Sequence, residues 1–596
     1  MNSTKQKRLL LIPLALFIGF VPLIVHAKYY DSGLQVFDWF ERSGQEADFF
    51  TYYKSVAITV LGLIMLAVFL YKAFVKKEKL KLTTDFAFLG AYVALAMLSG
   101  LFSKYRHWAI FGSYDIFETI WCLLAYGVVI VYALHLIEDE DDVKFVLKIA
   151  VIGYTLVTLI GFFQYLGLDF YRSSIGKHLI MPTSTWDGLD SLSFTFPLGT
   201  SYTSLYNSNY LALYYGLSIP LIVVLIFTVK KLWVRIALVV LFLLSFISLV
   251  GSNSKTGMIT LVIVAVFAVI VLFETIKEHK LIILVIAAVA VAAVVMISAR
   301  YGGFTPILNM LTGSNSSYLP EEDYHVKNII TADDEVVFVT ANDELHITYD
   351  IVDEEYVYTY FKDQNGTDIA YSYGNEGEII PNDPENRFYG CYVIPQYLED
   401  YIGITVTFDG IDWYFTNQVD GTYMFYNDFG KFTKMRNIPV SHVFNEGFSN
   451  GRGHIWNRCL PLLKKYIFLG SGANTFVMAY PNDDYINKKY LGTNTVVDVK
   501  AHSFYFGNLV ENGIIATLSI VIFYLIYFVK SFKIYRKRQK IDWLYGTGLG
   551  IYLGSVAYMI SSITNDSNVS TAPFYWGILG LGFAVNHIIS ERKTNE

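Results

Sequence analysis

The run Thr256-Gly-Met-Ile-Thr-Leu-Val-Ile-Val-Ala-Val-Phe-Ala-Val-Ile-Val-Leu-Phe273 holds 18 consecutive residues without a charge. A helix of that length is about 27 Å long, close to the thickness of a bilayer's hydrocarbon core. Further apolar stretches begin near Leu9, Ser55, Thr84, Phe117, Val143, Asn209, Trp233, Leu281, Gly507, Trp543 and Ala572, which predicts about twelve transmembrane helices. Composition points the same way. The 596 residues are 54% hydrophobic and 16% charged, against about 25% charged in a soluble domain, and the mean hydropathy is +0.41. A soluble enzyme and a disordered chain are both excluded, and the expected fold class is a polytopic all-α membrane protein.

Lys and Arg beside the spans set their direction. Placing Lys5, Lys7 and Arg8 in the cytoplasm also puts Lys76-Lys77-Glu78-Lys79, Lys230-Lys231, Lys277 with Lys280, and the Lys533-to-Lys540 run there. Twelve helices then return Glu591-Arg592-Lys593 to the same side. The stretch from Glu138 to Asp142 is the exception, acidic where basic residues are expected. The predicted location is the plasma membrane, multi-pass, with both termini cytoplasmic. A second reading makes the first stretch a signal peptide ending at Val25-His26-Ala27, leaving eleven helices. The apolar run from Leu9 to Val25 is long for a signal sequence, and either reading implies the secretory route.

Residues 1–299 are thus expected to carry helices 1–9, and residues 507–596 helices 10–12, with 300–506 between them as one large extracellular loop. Inside that loop, residues 321–446 change to period-two alternation. Val336–Thr340, Leu345–Tyr349, Tyr356–Phe361, Ile404–Phe408, Trp413–Phe415 and Tyr423–Tyr426 read as strands, punctuated by Asn365-Gly366, Asp409-Gly410 and Asp420-Gly421. An inserted all-β domain, sandwich or jelly-roll-like, is predicted. It holds 25 Asp and Glu against 6 Lys and Arg, a net charge of −19, whereas the remainder of the chain is +12. The acidity reads as a solvated surface, as calcium binding at Glu321-Glu322-Asp323 or Asp353-Glu354-Glu355, or as part of a sugar-binding face with exposed Tyr and Trp; the clusters lack calcium-loop spacing. The three cysteines, Cys122, Cys391 and Cys459, match no metal or redox motif, and free thiols are expected.

Several chemistries are absent. No Gly-x-x-x-x-Gly-Lys-Ser/Thr occurs, and Gly251-Ser-Asn-Ser-Lys-Thr-Gly257 has the wrong spacing for one. No His-Glu-x-x-His occurs, and no cytoplasmic domain is large enough for a nucleotide-sugar enzyme. Chemistry here must draw its energy from the substrate, at the membrane or outside it.

Three outside clusters remain. Ser252-Asn253-Ser254-Lys255-Thr256-Gly257 opens a helix, where a Lys, hydroxyls and free N–H groups suit an anion, or where Lys255 merely snorkels. Gly451-Arg452-Gly453-His454-Ile455-Trp456 puts Arg452 and Trp456 on one helix face, ahead of Leu469-Gly470-Ser471-Gly472. Arg suits bidentate phosphate binding, and the glycines let backbone approach a ligand or make a turn. Ala501-His502-Ser503-Phe504-Tyr505 supplies a residue able to act as a base near neutral pH, or a solvated interfacial one. Glu511, nine residues on, lies roughly 13 Å along a straight helix and half a turn away, so it reads as a functional acid or as a structural brace.

In order, Tyr206-Asn207-Ser208-Asn209-Tyr210-Leu211-Ala212, Ser252–Gly257, Arg452-x-x-x-Trp456 with Leu469–Gly472, and Ala501–Tyr505 with Glu511-Asn512-Gly513 resemble the O-antigen ligase and O-antigen polymerase family over about residues 200–530. The resemblance implies a membrane glycosyltransferase without metal or nucleotide cofactor. It would take a glycan from undecaprenyl diphosphate and join it to an acceptor glycan or other surface hydroxyl, with membrane lipids around it and no nucleic acid involved. It implies Arg452 and Lys255, with Ser254, on the diphosphate, and His502 at the acceptor hydroxyl; Glu511, Trp456 and Asn209 would support them. Lys255 departs from the family's usual Arg, keeping the charge and losing the two-pronged fork. Polymerase, ligase and protein O-glycosyltransferase are not separated by these motifs. The alternatives are a lipid-linked glycan flippase and an extracellular sensor. Against them, no paired halves are visible and no cytoplasmic signalling domain is present.

Overall fold

A computed structural model of the chain describes residues 3–273, 305–313, 325–352, 356–537 and 541–595, together with Val291 and Val295. In chain order the helices are α1 (Ser3–Gly19), α2 (Tyr52–Leu70), α3 (Asp85–Phe102), α4 (Arg106–Phe111), α5 (Ile120–Leu136), α6 (Glu140–Tyr165), α7 (Ser174–Ile180), α8 (Ser208–Thr228), α9 (Leu232–Gly251), α10 (Lys255–Val271), α11 (Thr305–Thr312), α12 (Phe448–Tyr466), α13 (Phe476–Ala479), α14 (Tyr485–Leu491), α15 (Phe504–Tyr535), α16 (Trp543–Ser561) and α17 (Ala572–Asn595).

Among the described residues, seven helices are long and apolar enough to cross a membrane: Tyr52–Val75, α3, α6, α8, α9, α15 and Ala572–Arg592. Two shorter apolar helices, α5 and α10, join them. The expected span from Leu281 lies outside the described residues, and a total of twelve is therefore not established. Helix α1 has 17 residues and carries Pro13. Helix α16 is rich in Gly and Tyr and almost wholly buried against α8, so it needs no lipid-like surface of its own. At Gly554 a methyl group would stand 2.1 Å from the Leu217 carbonyl oxygen, which shows how closely the two helices pack.

The acidic stretch after α5 has a partner. Lys7 of α1 makes ion pairs with Glu138 at 2.9 Å and Asp142 at 2.6 Å, and Arg592 of α17 reaches Glu140 at 3.3 Å. The excess of acid there is neutralised from both chain ends.

After α1 a short antiparallel hairpin pairs β1 (Lys28–Asp31) with β2 (Gln45–Asp48), and strands between residues 325 and 435 build the β-domain. One antiparallel sheet runs β3 (Asn328–Thr331), β4 (Val336–Val339), β5 (Glu344–Val352), β6 (Tyr356–Asp363) and β7 (Asp368–Ile369) in sequential order. The other runs sequentially from β8 (Tyr371–Tyr373), β9 (Ile379–Pro381) and β10 (Tyr392–Leu398) through β11 (Tyr401–Phe408) and β12 (Ile411–Thr416) to β13 (Met424–Tyr426) and β14 (Phe432–Thr433). Phe408 pairs with Ile411 across Asp409-Gly410, whose φ values of +54° and +73° are those of a tight two-residue hairpin. Phe338, Ile347 and Phe361 of one sheet share a core with Val406, Trp413 and Phe415 of the other. The domain is a sandwich of two meanders. A jelly roll would need strands that cross over, and every sheet neighbour here is also a sequence neighbour.

The sandwich is seated on the helical body. Leu34, Trp39 and Phe40 after α1, and Val477, Met478 and Tyr485 after α12, complete its core. Arg42 donates to the Gly430 carbonyl at 2.7 Å and pairs with Glu399 at 2.8 Å. The acidic triplets around residues 321–323 and 353–355 lie outside the described residues. Cys122, Cys391 and Cys459 are buried free thiols.

Candidate functional site

Three left-handed residues, Ser449 (φ +50°), Asn450 (+66°) and Gly451 (+86°), turn the chain sharply just before Arg452. Left-handed backbone at Ser and Asn costs on the order of 1–3 kcal/mol per residue and persists only where its surroundings enforce it. The turn aims Arg452 at the loop between α16 and α17. Its Nε donates to the Thr564 carbonyl at 2.7 Å and its Nη1 to the Ser449 carbonyl at 2.6 Å, and the residue is buried.

The same loop collects His502. The imidazole Nδ1–H donates to Asp566 Oδ2 at 3.0 Å, and the Ser503 N–H donates to Asp566 Oδ1 at 3.1 Å. Phe504 N–H is shared between the Ser562 and Asn565 carbonyls. His502 itself stands at φ +49°, a further left-handed residue at this place. Burial raises the cost of ionising Asp566, but the bond from His502 and the charges of Lys500 and Arg452 outweigh it and hold the carboxyl below its ordinary range. With Nδ1 committed to that carboxylate, Nε2 is the nitrogen left to take a proton, and the ring is about half exposed.

Trp456, one helical turn beyond Arg452, donates its Nε1–H to the Ala501 carbonyl at 2.9 Å and stacks on Phe506. Trp456 thus braces the His502 segment directly, and Arg452 holds the loop that carries His502's partner Asp566. Ser254 caps α10, accepting from Gly257 N–H, and donates its hydroxyl to Asn209 Oδ1 at 3.1 Å. Lys255 is the first residue of α10. Asn209 is the second residue of α8, which Asn207 caps, and Tyr210 beside it lies in the field of Asp566.

Glu511 does not meet His502. Its carboxylate accepts from the Phe476 N–H at 3.1 Å, at the start of α13, while lining the same cleft as Lys500, Ser503 and Asp566. Helix α15 breaks at Gly513 (φ +77°), which frees the carbonyls of Val510 and Glu511. Ser471 N–H and Gly472 N–H bond to those carbonyls at 2.8 and 2.9 Å, and Ser99 Oγ donates to the latter at 2.6 Å. The glycine run therefore meets protein backbone: a methyl on Gly470 would sit 2.1 Å from the Glu511 carbonyl oxygen.

Three residues of the cleft were not singled out by sequence. Asp566 lies in the polar run Ser561–Thr571, a visible interruption between two apolar spans. Lys500, two positions before His502, donates to the Ser567 carbonyl at 2.6 Å. Glu118 accepts from Ser567 Oγ at 2.8 Å and Tyr126 OH at 2.9 Å. Although Glu118, Glu511 and Asp566 line one cleft, among the described residues no three His, Cys, Asp or Glu side chains converge as metal ligands.

Behind Arg452 runs a buried charge network. Glu446 meets His454 Nδ1 at 2.8 Å and Arg458 Nη1 at 3.2 Å, and Arg458 Nε reaches Asp484 at 2.7 Å. It ties the exit of the β-domain to α12 and α14.

In comparisons with protein-family models, curated proteins and solved structures, nothing matches this chain.

Proposed function

We propose that the protein is a metal-independent membrane glycosyltransferase of the O-antigen ligase and polymerase type. It moves a glycan from undecaprenyl diphosphate to an acceptor hydroxyl on the outer face of the plasma membrane. In this reading about twelve helices span the bilayer, both termini are cytoplasmic, and the β-domain is extracellular. The observation that carries the proposal is the gathering of His502 and Arg452, 50 residues apart, on one loop, Thr564 to Asp566.

In this reading His502 is the base and Arg452 and Lys255 meet the leaving group. The acceptor O–H gives its proton to His502 Nε2 as its oxygen attacks the anomeric carbon. The bond from that carbon to the diphosphate oxygen breaks, and the diphosphate leaves with the electron pair. Asp566 stabilises the imidazolium that forms, and preorganised cations, Arg452 and Lys255, stabilise the charge growing on the diphosphate. Trp456 and Ser254 with Asn209 act as supports, and Glu511 braces α13 against the cleft.

The test is reconstitution in liposomes with undecaprenyl-diphosphate-linked glycan from the source cells, reading release of undecaprenyl diphosphate. The wild type is expected to release it, and His502→Ala and Arg452→Ala are not. Full activity in both variants, or none in the wild type, contradicts the proposal.

A further inference from the structure

A second concavity borders the same short segment as the cleft: Ile116 and Glu118 line the cleft, and Asp115 lines the concavity. Its walls are aromatic: Phe50, Phe194, Phe196, Tyr202 and Tyr206. Phe196 stacks on Tyr202 with centroids 4.2 Å apart, and Phe50 and Tyr206 lie 5.3 Å apart. Two polar features interrupt the rings. Exposed Ser193 and Thr195 alternate with Phe194 and Phe196 along the rim. Asp115 accepts from Tyr206 OH at 3.2 Å.

The backbone around that bond is held in an unusual state. Asp115 (φ +55°), Thr203 (+55°) and Tyr206 (+79°) are all left-handed without being glycine. Strain of this kind collects at preorganised sites. The neighbouring Asp48 serves the fold, since its oxygens accept from Thr51 N–H, Thr51 Oγ and Tyr52 N–H at the start of α2.

We infer that this concavity is a glycan subsite that holds an uncharged pyranose ring beside the cleft. Ring faces match the C–H faces of a sugar, while a carboxyl and rim hydroxyls match its O–H groups. Burial, and then Asp48, push Asp115 up to about 7, so near neutral pH it reaches a hydroxyl both as donor and as acceptor. Asp48 and Glu46 beside it disfavour an anionic sugar. The inference rests on the transferase reading for the role of the bound ring, which belongs either to the donor glycan or to the acceptor.

The experiment is saturation-transfer NMR on the full chain in nanodiscs with two probes. One is the oligosaccharides released by mild acid from the source cells' polyprenyl-linked pool; the other is fragments of the finished surface polysaccharide. The first binding alone marks a donor subsite, and the second alone an acceptor subsite. Phe196→Ala and the near-isosteric Asp115→Asn are each expected to weaken binding at least tenfold. No oligosaccharide bound by the wild type, or unchanged binding in both pocket variants, overturns the inference. Binding without any transfer by the wild type would leave the subsite standing and remove the transferase reading.

Discussion

His502 Nδ1 and Asp566 Oδ2 lie 3.0 Å apart although 64 residues separate them in the chain. Asp566 fixes the imidazole's tautomer and orientation, and a proton-accepting His depends on both. Asp566→Asn keeps the shape and loses the charge. It is expected to slow glycan release on the order of 10²- to 10⁴-fold, the range of a lost general base, while leaving the thermal unfolding temperature within a few degrees. An unaltered rate would remove Asp566 from the mechanism.

Arg452 binds two main-chain carbonyls with separate nitrogens, a geometry that Lys lacks. Arg452→Lys is expected to lose roughly 10²-fold or more in transfer rate, comparable with the loss of one preorganised donor to a developing anion. Lys255→Arg, by contrast, is expected to stay within a few-fold of wild type. Parallel rate measurements on the two variants check the contrast.

Gly470 and Gly492 share left-handed backbone, at φ +84° and +63°, but differ in surroundings. A methyl on Gly470 collides with the Glu511 carbonyl, while none of the neighbouring atoms lies within 4 Å of one on Gly492. Gly470→Ala is expected to lower stability beyond the ~1–3 kcal/mol of backbone strain, and Gly492→Ala by that strain alone. Thermal melts in detergent compare them directly, and equal shifts would show that the docking of residues 468–472 on the broken helix is unimportant.

Burial alone would raise Glu446, yet His454 and Arg458 hold its carboxyl below the ordinary value. A depressed folded value means stability that is complete above the unfolded pKa, about 4.3, and lost as pH falls through the lower folded value. Glu446→Ala removes the buried carboxylate that His454 and Arg458 share, while Asp484 still holds Arg458. It is expected to cost ~3–5 kcal/mol at pH 7 and to flatten the acid limb of the stability profile below pH 4. Unfolding midpoints at pH 7 and pH 3.5 test both statements.

Most of the fold is written in local pattern. Uncharged runs such as Thr256–Phe273 mark helices, and alternation at Val336–Thr340 or Ile404–Phe408 marks strands, because each pattern repeats at the period of its own backbone. Sheet order is not local, which left a jelly roll open until the sequential pairing from β3 to β7 and from β8 to β14 settled it. Glu511 was legible as an acid out of reach of His502, but its partner, Phe476 N–H, depends on the break at Gly513. Asp566 escaped because it sits in an Asn- and Ser-rich turn and acquires meaning only through contact with a residue two helices earlier.

The central claim is most directly tested by a mass-spectrometric profile of undecaprenyl-linked glycans in host cells carrying the intact protein or His502→Ala. The account predicts that lipid-linked glycan accumulates in the variant: single repeat units for a polymerase, complete chains or one finished oligosaccharide for a ligase. An unchanged profile would contradict it.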